Sequence, residues 1–287
     1  MAKKNRKKDS TTPKKKRAII PFVERPFEGL DAEAKLVAMR DLLPLATMTV
    51  TLTEEYGSEK VIFGTLLPNM VGALRRTDGQ LLVAMQTVMN SGDASLDIAT
   101  RVLAGLELKP GESYPGGTQP EAGSPRLQDI VASFSELELQ EDPAFWMTEE
   151  EAATPESQAA LRDARADMVP AARIESVNGA YWCRMSREFL RWVRPEPRDA
   201  VLDGLARLRV SGEERWDDDV RFIGAFRAYG LSVPVWELAR GTEAEELEEP
   251  LAKFAEKLSA AIASTEPLSA EEKRARSGLV SRQVTLR

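Results

Sequence analysis

The segment Thr47–Thr53 reads TMTVTLT, with threonine and an apolar residue in strict alternation. Successive side chains of a strand face opposite ways, so Met48, Val50 and Leu52 share one face and the threonines the other. A helix would scatter both sets around its circumference. The chain is therefore committed to a sheet with one face on a core. A second strand is expected at Val61–Leu67 after a turn through Gly57, and a third at Leu81–Val88 after Asp78-Gly79. Leu137 and Leu139 alternate with Glu136 and Glu138 as a short strand. Leu231–Leu238 reads as another, which Pro234 directs toward a sheet edge.

Helices are expected between these runs. Asp31 is placed to cap one that ends before Pro44, Asn69–Arg75 reads as a short helical piece, and Asp93 caps a helix carrying Leu96, Leu103 and Leu106. Thr148 with Glu151 has capping-box spacing, and Thr154-Pro155 offers a further start. Pro197 opens a helix with Val201, Leu202, Leu205 and Leu208. Phe222, Ile223 and Phe226 mark another, and Leu247, Leu251, Phe254, Leu258 and Ile262 form a regular stripe. Ser269 and Glu272 make a second capping box, followed by extended chain at Val280–Leu286. The fold class is α+β: a mixed sheet with packed helices, as one unit or as two α/β domains. The stretch 109–125, with four prolines and four glycines, is the expected linker or long loop. It divides an N-terminal α/β domain (18–108) from a helix-rich α+β domain (126–287).

The 287 residues suit one large domain or two ordinary ones, and 43% hydrophobic with 30% charged residues suits a folded chain. No apolar run is long enough to span a bilayer, and the first twenty residues lack the apolar core of a secretory signal, so a cytoplasmic location without membrane contact is expected. There is no histidine and a single cysteine, Cys183. That excludes the usual Ser-His-Asp and Cys-His nucleophiles, histidine-bearing metal sites and structural zinc sites. Any general acid or base must be Asp, Glu, Lys or Tyr. The phosphate loop GxxxxGK[ST], the dinucleotide fingerprint GxGxxG and the nucleophile elbow GxSxG are all missing. No cofactor is expected.

Charge divides the chain. Residues 1–17 hold nine Lys or Arg against one acid, and the remainder holds 30 basic and 45 acidic residues. With almost no apolar side chains, the first seventeen residues read as a disordered basic tail. Lys3, Lys4, Arg6, Lys7 and Lys8, then Lys14, Lys15, Lys16 and Arg17, are the candidate nucleic-acid contacts. They would act on phosphates by counterion release. A solubilising extension is an equally weighted reading, since no aromatics are interleaved for base stacking.

A second candidate is Tyr181–Arg194. As a helix it would put Trp182, Met185, Phe189 and Val193 on one face. Arg184, Arg187, Arg191 and Arg194 would fall on the other, an anion-contact row. An ordinary amphipathic helix whose arginines pair with body carboxylates carries more weight. If Gly179–Met185 is instead a strand, the row breaks. Asp217-Asp218-Asp219 could hold Mg²⁺, but helix capping before Phe222 is the stronger explanation. Cys183, Trp146, Trp192 and Trp236 read as buried packing residues.

Four strings, AKKNRKK…PKKKRAIIPFVERPFEGL, YWCRM..REFLRWV, FRAYGLSVPVWEL and GLVSRQVTLR, together resemble an actinobacterial family of uncharacterised proteins, a domain of unknown function. Members carry labels such as preprotein translocase SecA or topoisomerase. The resemblance implies a bacterial cytoplasmic origin and transfers no catalytic residue. The residues support neither label: the motor's phosphate loop is missing, and Tyr56, Tyr114, Tyr181 and Tyr229 have no topoisomerase context. Three functions follow as expectations. The first is a non-enzymatic binding or regulatory protein whose tail tethers it to RNA, ribosomes or DNA while its acidic body meets a partner. The second is a protein- or small-molecule-binding module with an incidental tail. The third is a histidine-free Mg²⁺-dependent enzyme.

Overall fold

The computed structural model describes residues 19–282 and 284–286; the basic tail lies outside them. The chain runs α1 (Glu33–Asp41), β1 (Ala46–Leu52), β2 (Lys60–Gly64), β3 (Ala73–Arg75), β4 (Leu81–Ala84), α2 (Ala94–Leu106), β5 (Ser113–Tyr114), α3 (Leu127–Ile130) and β6 (Val131–Leu139). Then come α4 (Glu149–Ala152), α5 (Pro155–Asp167), β7 (Ala171–Arg173), β8 (Ala180–Arg184), β9 (Glu188–Trp192), α6 (Arg198–Ser211), β10 (Arg221–Ala228), β11 (Leu231–Glu237), α7 (Glu248–Ala263), α8 (Ala270–Arg282) and β12 (Val284–Leu286). The fold is α+β, with two six-stranded sheets in the orders β5-β3-β4-β2-β1-β6 and β12-β10-β11-β9-β8-β7. Each contains one parallel pair, β2 with β4 and β10 with β12. Among the described residues no helix is long and apolar enough to cross a membrane.

In β1, Met48, Val50 and Leu52 are buried as their alternation requires, while Thr49 and Thr51 are partly open. Their face joins Leu36, Met39, Ile98 and Val102 from α1 and α2 in a first core. Tyr181, Val193, Leu231 and Val233 of the second sheet enter the same core. The opposite parity of those strands, Trp182, Leu190, Trp192 and Trp236, packs with α6, α7 and α8 in a second core. The second sheet is thus buried on both faces, and it is the shared wall between the cores.

That double burial overturns two expectations. Tyr181–Arg194 is the hairpin β8–β9 rather than a helix, because apolar residues are needed at both strand parities and their sum mimics a helical stripe. The apolar run at Phe222–Phe226 is strand β10 for the same reason. Pro234 lies in the interior strand β11 and not at an edge. It fits because the ladder to β9 covers residues 235–237 and resumes as an isolated bridge at Ser232, leaving the missing N–H opposite a gap. Asp31 makes no cap for α1, whose N-cap is Ala32. Asn69–Arg75 divides into a 3-10 turn and β3, and the strands expected at 61–67 and 81–88 end at Gly64 and Ala84. At the C-terminus α8 persists to Arg282 before β12.

The Pro/Gly stretch 109–125 does not separate the sheets. It supplies β5 to the first sheet, and β6, from beyond it, pairs along β1. The chain passes to the second sheet only after Leu139, through α4 and α5. Asp93, Thr148, Thr154 and Ser269 cap helices as expected.

Candidate ligand-binding site

Three segments distant in sequence converge where the two sheets meet. The first is the strap Phe22–Pro26. Its Val23 N–H donates to the Gly92 carbonyl at 2.9 Å. Arg25 forks onto Glu33 with two bonds of 2.7 Å, and the Pro26 carbonyl accepts from Arg126 Nη2 at 2.9 Å and Gln128 Nε2 at 2.8 Å. The second is the loop Asn90–Ala94, where the chain leaves β4 for α2. The side-chain oxygen of Asn90 accepts the Gly92 N–H at 3.0 Å, and Asp93 caps α2 through the N–H groups of Ser95 and Leu96. Crevices beyond the carboxyl ends of parallel strands are where α/β sheets hold ligands, and this loop follows the parallel strand β4.

The third segment is the β10–β11 hairpin tip. Its two central residues, Tyr229 and Gly230, both have positive φ, 46° and 83°, the signature of a type I′ turn. Gly230 is required twice over, since a Cβ there would lie 2.8 Å from Arg25 Cβ. Tyr229 is the opposite case. A bulky side chain in the left-handed region costs about 1–3 kcal/mol and persists only where its surroundings hold it. Between these segments lies a pocket of about 340 Å³. Phe22, Val23, Pro26, Ala94 and Tyr229 give it apolar walls, and Asn90, Ser91 and the Glu24–Arg227 ion pair give it a polar rim. This volume lies within the range of small-molecule sites.

Behind Tyr229 the interior is polar. The Arg40 guanidinium sits over the Tyr229 ring at 4.8 Å, and Phe27 packs against the same ring at 5.7 Å. Arg40 Nη1 donates to the Met85 carbonyl at 2.7 Å, and Arg101 Nη1 donates to Ala84 at 2.8 Å and more weakly to Met85 at 3.5 Å. Arg40 and Arg101 are only 8% and 4% exposed. Desolvation, and then the charge of Arg40, push Arg101 down to about 10. Asp97 is 2% exposed and accepts the Ser91 N–H through Oδ2 at 3.1 Å. Three polar atoms here have no partner among the described residues: Arg40 Nε, Arg101 Nη2 and Asp97 Oδ1.

Of these residues the sequence named Asp93 only as a helix cap and Tyr229 only as a tyrosine without catalytic context; Arg40, Asp97 and Arg101 carried no functional expectation, although an arginine amid the apolar run of α1 and another within α2 were visible signals. The expected tail contacts, Lys3 to Arg17, lie outside the described residues. The four arginines of the expected anion row separate. Arg184 pairs with Glu188 and Glu243, Arg187 with Glu237 and Arg194 with Glu196, while Arg191 donates to the Leu42 carbonyl. A hairpin points alternate residues to opposite faces, so no row forms. Asp217–Asp219 precede a strand and cap no helix. Asp217 accepts the Asp219 N–H and Asp218 pairs with Arg215. Cys183, Trp192 and Trp236 are buried, and Trp146 is partly buried with its ring N–H on the Leu66 carbonyl.

No curated protein and no solved structure matches the chain. Matched across residues 26–287, it belongs to a family of unknown function, DUF5926.

Proposed function

We propose that this chain is a two-part binding or regulatory protein. Its folded body holds a ligand or a short segment of a partner in the strap pocket, and its basic residues 1–17 contact a nucleic acid. The observation that carries this reading is the continuity of the two parts: the strap that walls the pocket begins a few residues after the basic tail. The pairing of Arg184, Arg187 and Arg194 with body carboxylates supports the same division of labour. In an acidic body, attraction for phosphates falls to the tail.

Affinity purification from a bacterial lysate tests this, with the full chain beside a chain lacking residues 1–17, each with and without nuclease. RNA, ribosomal proteins or DNA captured only by the untreated full chain is the expected result. Identical capture by both would remove the tail from the function and leave the pocket as the working part.

A further inference from the structure

The strap pocket and the buried arginine pair meet at Tyr229, and we infer that the site takes a small organic oxyanion. The apolar body of the ligand would sit among Phe22, Val23, Pro26 and Ala94, and its carboxylate or phosphate group would be drawn to Arg40 and Arg101. The inference rests on the reading of this pocket as the ligand site.

Two observations, independent of the pocket's shape, point to the charge. First, both guanidiniums are more than nine-tenths buried, yet Arg40 Nε and Arg101 Nη2 have no acceptor among the described residues. Their existing hydrogen bonds go to the backbone carbonyls of Ala84 and Met85. Buried charged donors without partners are strongly unfavourable, and the planar fork matches a carboxylate or phosphate. Asp97 and Asp41 are the acids nearby. Asp97 supplies a counter-charge to Arg101 and accepts the Ser91 N–H on the pocket wall through Oδ2, but its Oδ1 makes no hydrogen bond among the described residues, so it satisfies neither orphan donor; burial raises the pKa of Asp41. Second, Tyr229 is held in a left-handed conformation as the partition between the pocket and Arg40. Turning its ring off Arg40 is the movement that ligand entry requires, and pairing of the guanidiniums offsets it.

The test is calorimetric titration of the full chain at low salt with benzoate, phenyl phosphate, benzamide and inorganic phosphate. Benzoate or phenyl phosphate should bind one per chain, at least about tenfold more tightly than benzamide. The tighter of the two identifies the headgroup. Arg101→Gln should lose that affinity. Because Arg101 is buried and holds the Ala84 carbonyl, Arg101→Gln also bears on folding, and Asn90→Asp provides the second variant. It keeps the acceptor for the Gly92 N–H and adds a negative charge to the rim, so it should weaken both oxyanions several-fold and leave benzamide unchanged. Equal affinity for benzamide would overturn the oxyanion while keeping the pocket. Oxyanion binding unaffected by Asn90→Asp, or matched by inorganic phosphate, would place the charge elsewhere and overturn the inference. Absence of binding by all four probes would remove both the inference and the pocket reading beneath it.

Discussion

Arg40 stacks its guanidinium over the ring of Tyr229, 4.8 Å from the centroid, and so joins the first helix of the N-terminal core to the hairpin tip of the second sheet. The contact crosses the junction of the two sheets. It exists only because the chain accepts a tyrosine where a type I′ turn prefers asparagine or glycine.

Tyr229→Asn separates the two effects. Asparagine relieves the turn by about 1 kcal/mol. It also removes the packing on Phe27 and the cation–π contact, together worth about 2–3 kcal/mol. Net destabilisation of about 1–2 kcal/mol is expected in urea denaturation, with Tyr229→Phe within about 0.5 kcal/mol of the parent. An asparagine variant more stable than the parent would mean that the ring contributes less than its strain costs.

Two helical glycines should respond with opposite signs. A Cβ on Gly204 in α6 would meet Ile262 of α7 at 2.7 Å from Cγ1 and 2.8 Å from its backbone nitrogen. The backbone cannot yield as a side chain can, so overpacking of about 1–3 kcal/mol should exceed the roughly 1 kcal/mol gain in helix propensity, and Gly204→Ala should destabilise. A Cβ on Gly278 in α8 meets nothing within 4 Å, so Gly278→Ala should gain about 0.5–1 kcal/mol. Midpoints of chemical denaturation decide both. A stabilised Gly204→Ala would show that α6 and α7 can move apart.

Alkaline stability should depend on Tyr181. Desolvation raises its hydroxyl to about 12. A folded-state value above the unfolded one means that the native chain binds more protons through that interval, so the contribution is complete below about pH 10 and is lost as pH rises toward 12. The loss is about 2–3 kcal/mol. Stability measured across that range should fall less steeply in Tyr181→Phe. Parallel curves for the two proteins would show that the Tyr181 hydroxyl has the same pKa in the folded and unfolded chains.

What the sequence disclosed depended on how many faces an element buries. Met48, Val50 and Leu52 bury one face, and their period was plain. The caps at Thr148, Thr154 and Ser269 are local chemistry, and they were plain for that reason. The hairpin β8–β9 was opaque because Tyr181 serves the first core while Trp182 and Trp192 serve the second, so no period-2 pattern survives. The candidate site was opaque for a different reason. Arg40, Arg101 and Tyr229 sit in separate elements, and each looks ordinary until the hairpin tip is docked on the strap. The acidic body and the basic tail, being matters of composition, needed no fold at all.

The thiol of Cys183 offers a direct reading of whether the two sheets open together. It lies in β8, fully buried, within the sheet that both cores share. Desolvation raises its pKa, and nearby Arg191 offsets this only in part, so little thiolate exists at neutral pH. A thiol reagent should therefore modify the native chain only through opening of the second sheet. Because that sheet is the wall of both cores, opening it exposes the first core as well, and the free energy of exchange should equal that of global unfolding. Thiol labelling across increasing urea, set beside the loss of helix signal, measures both quantities. Cys183 shares the face of Tyr181, so labelling much faster than global unfolding would mean that the second sheet can draw back from the first core without global unfolding, and the two cores would then be separate cooperative units.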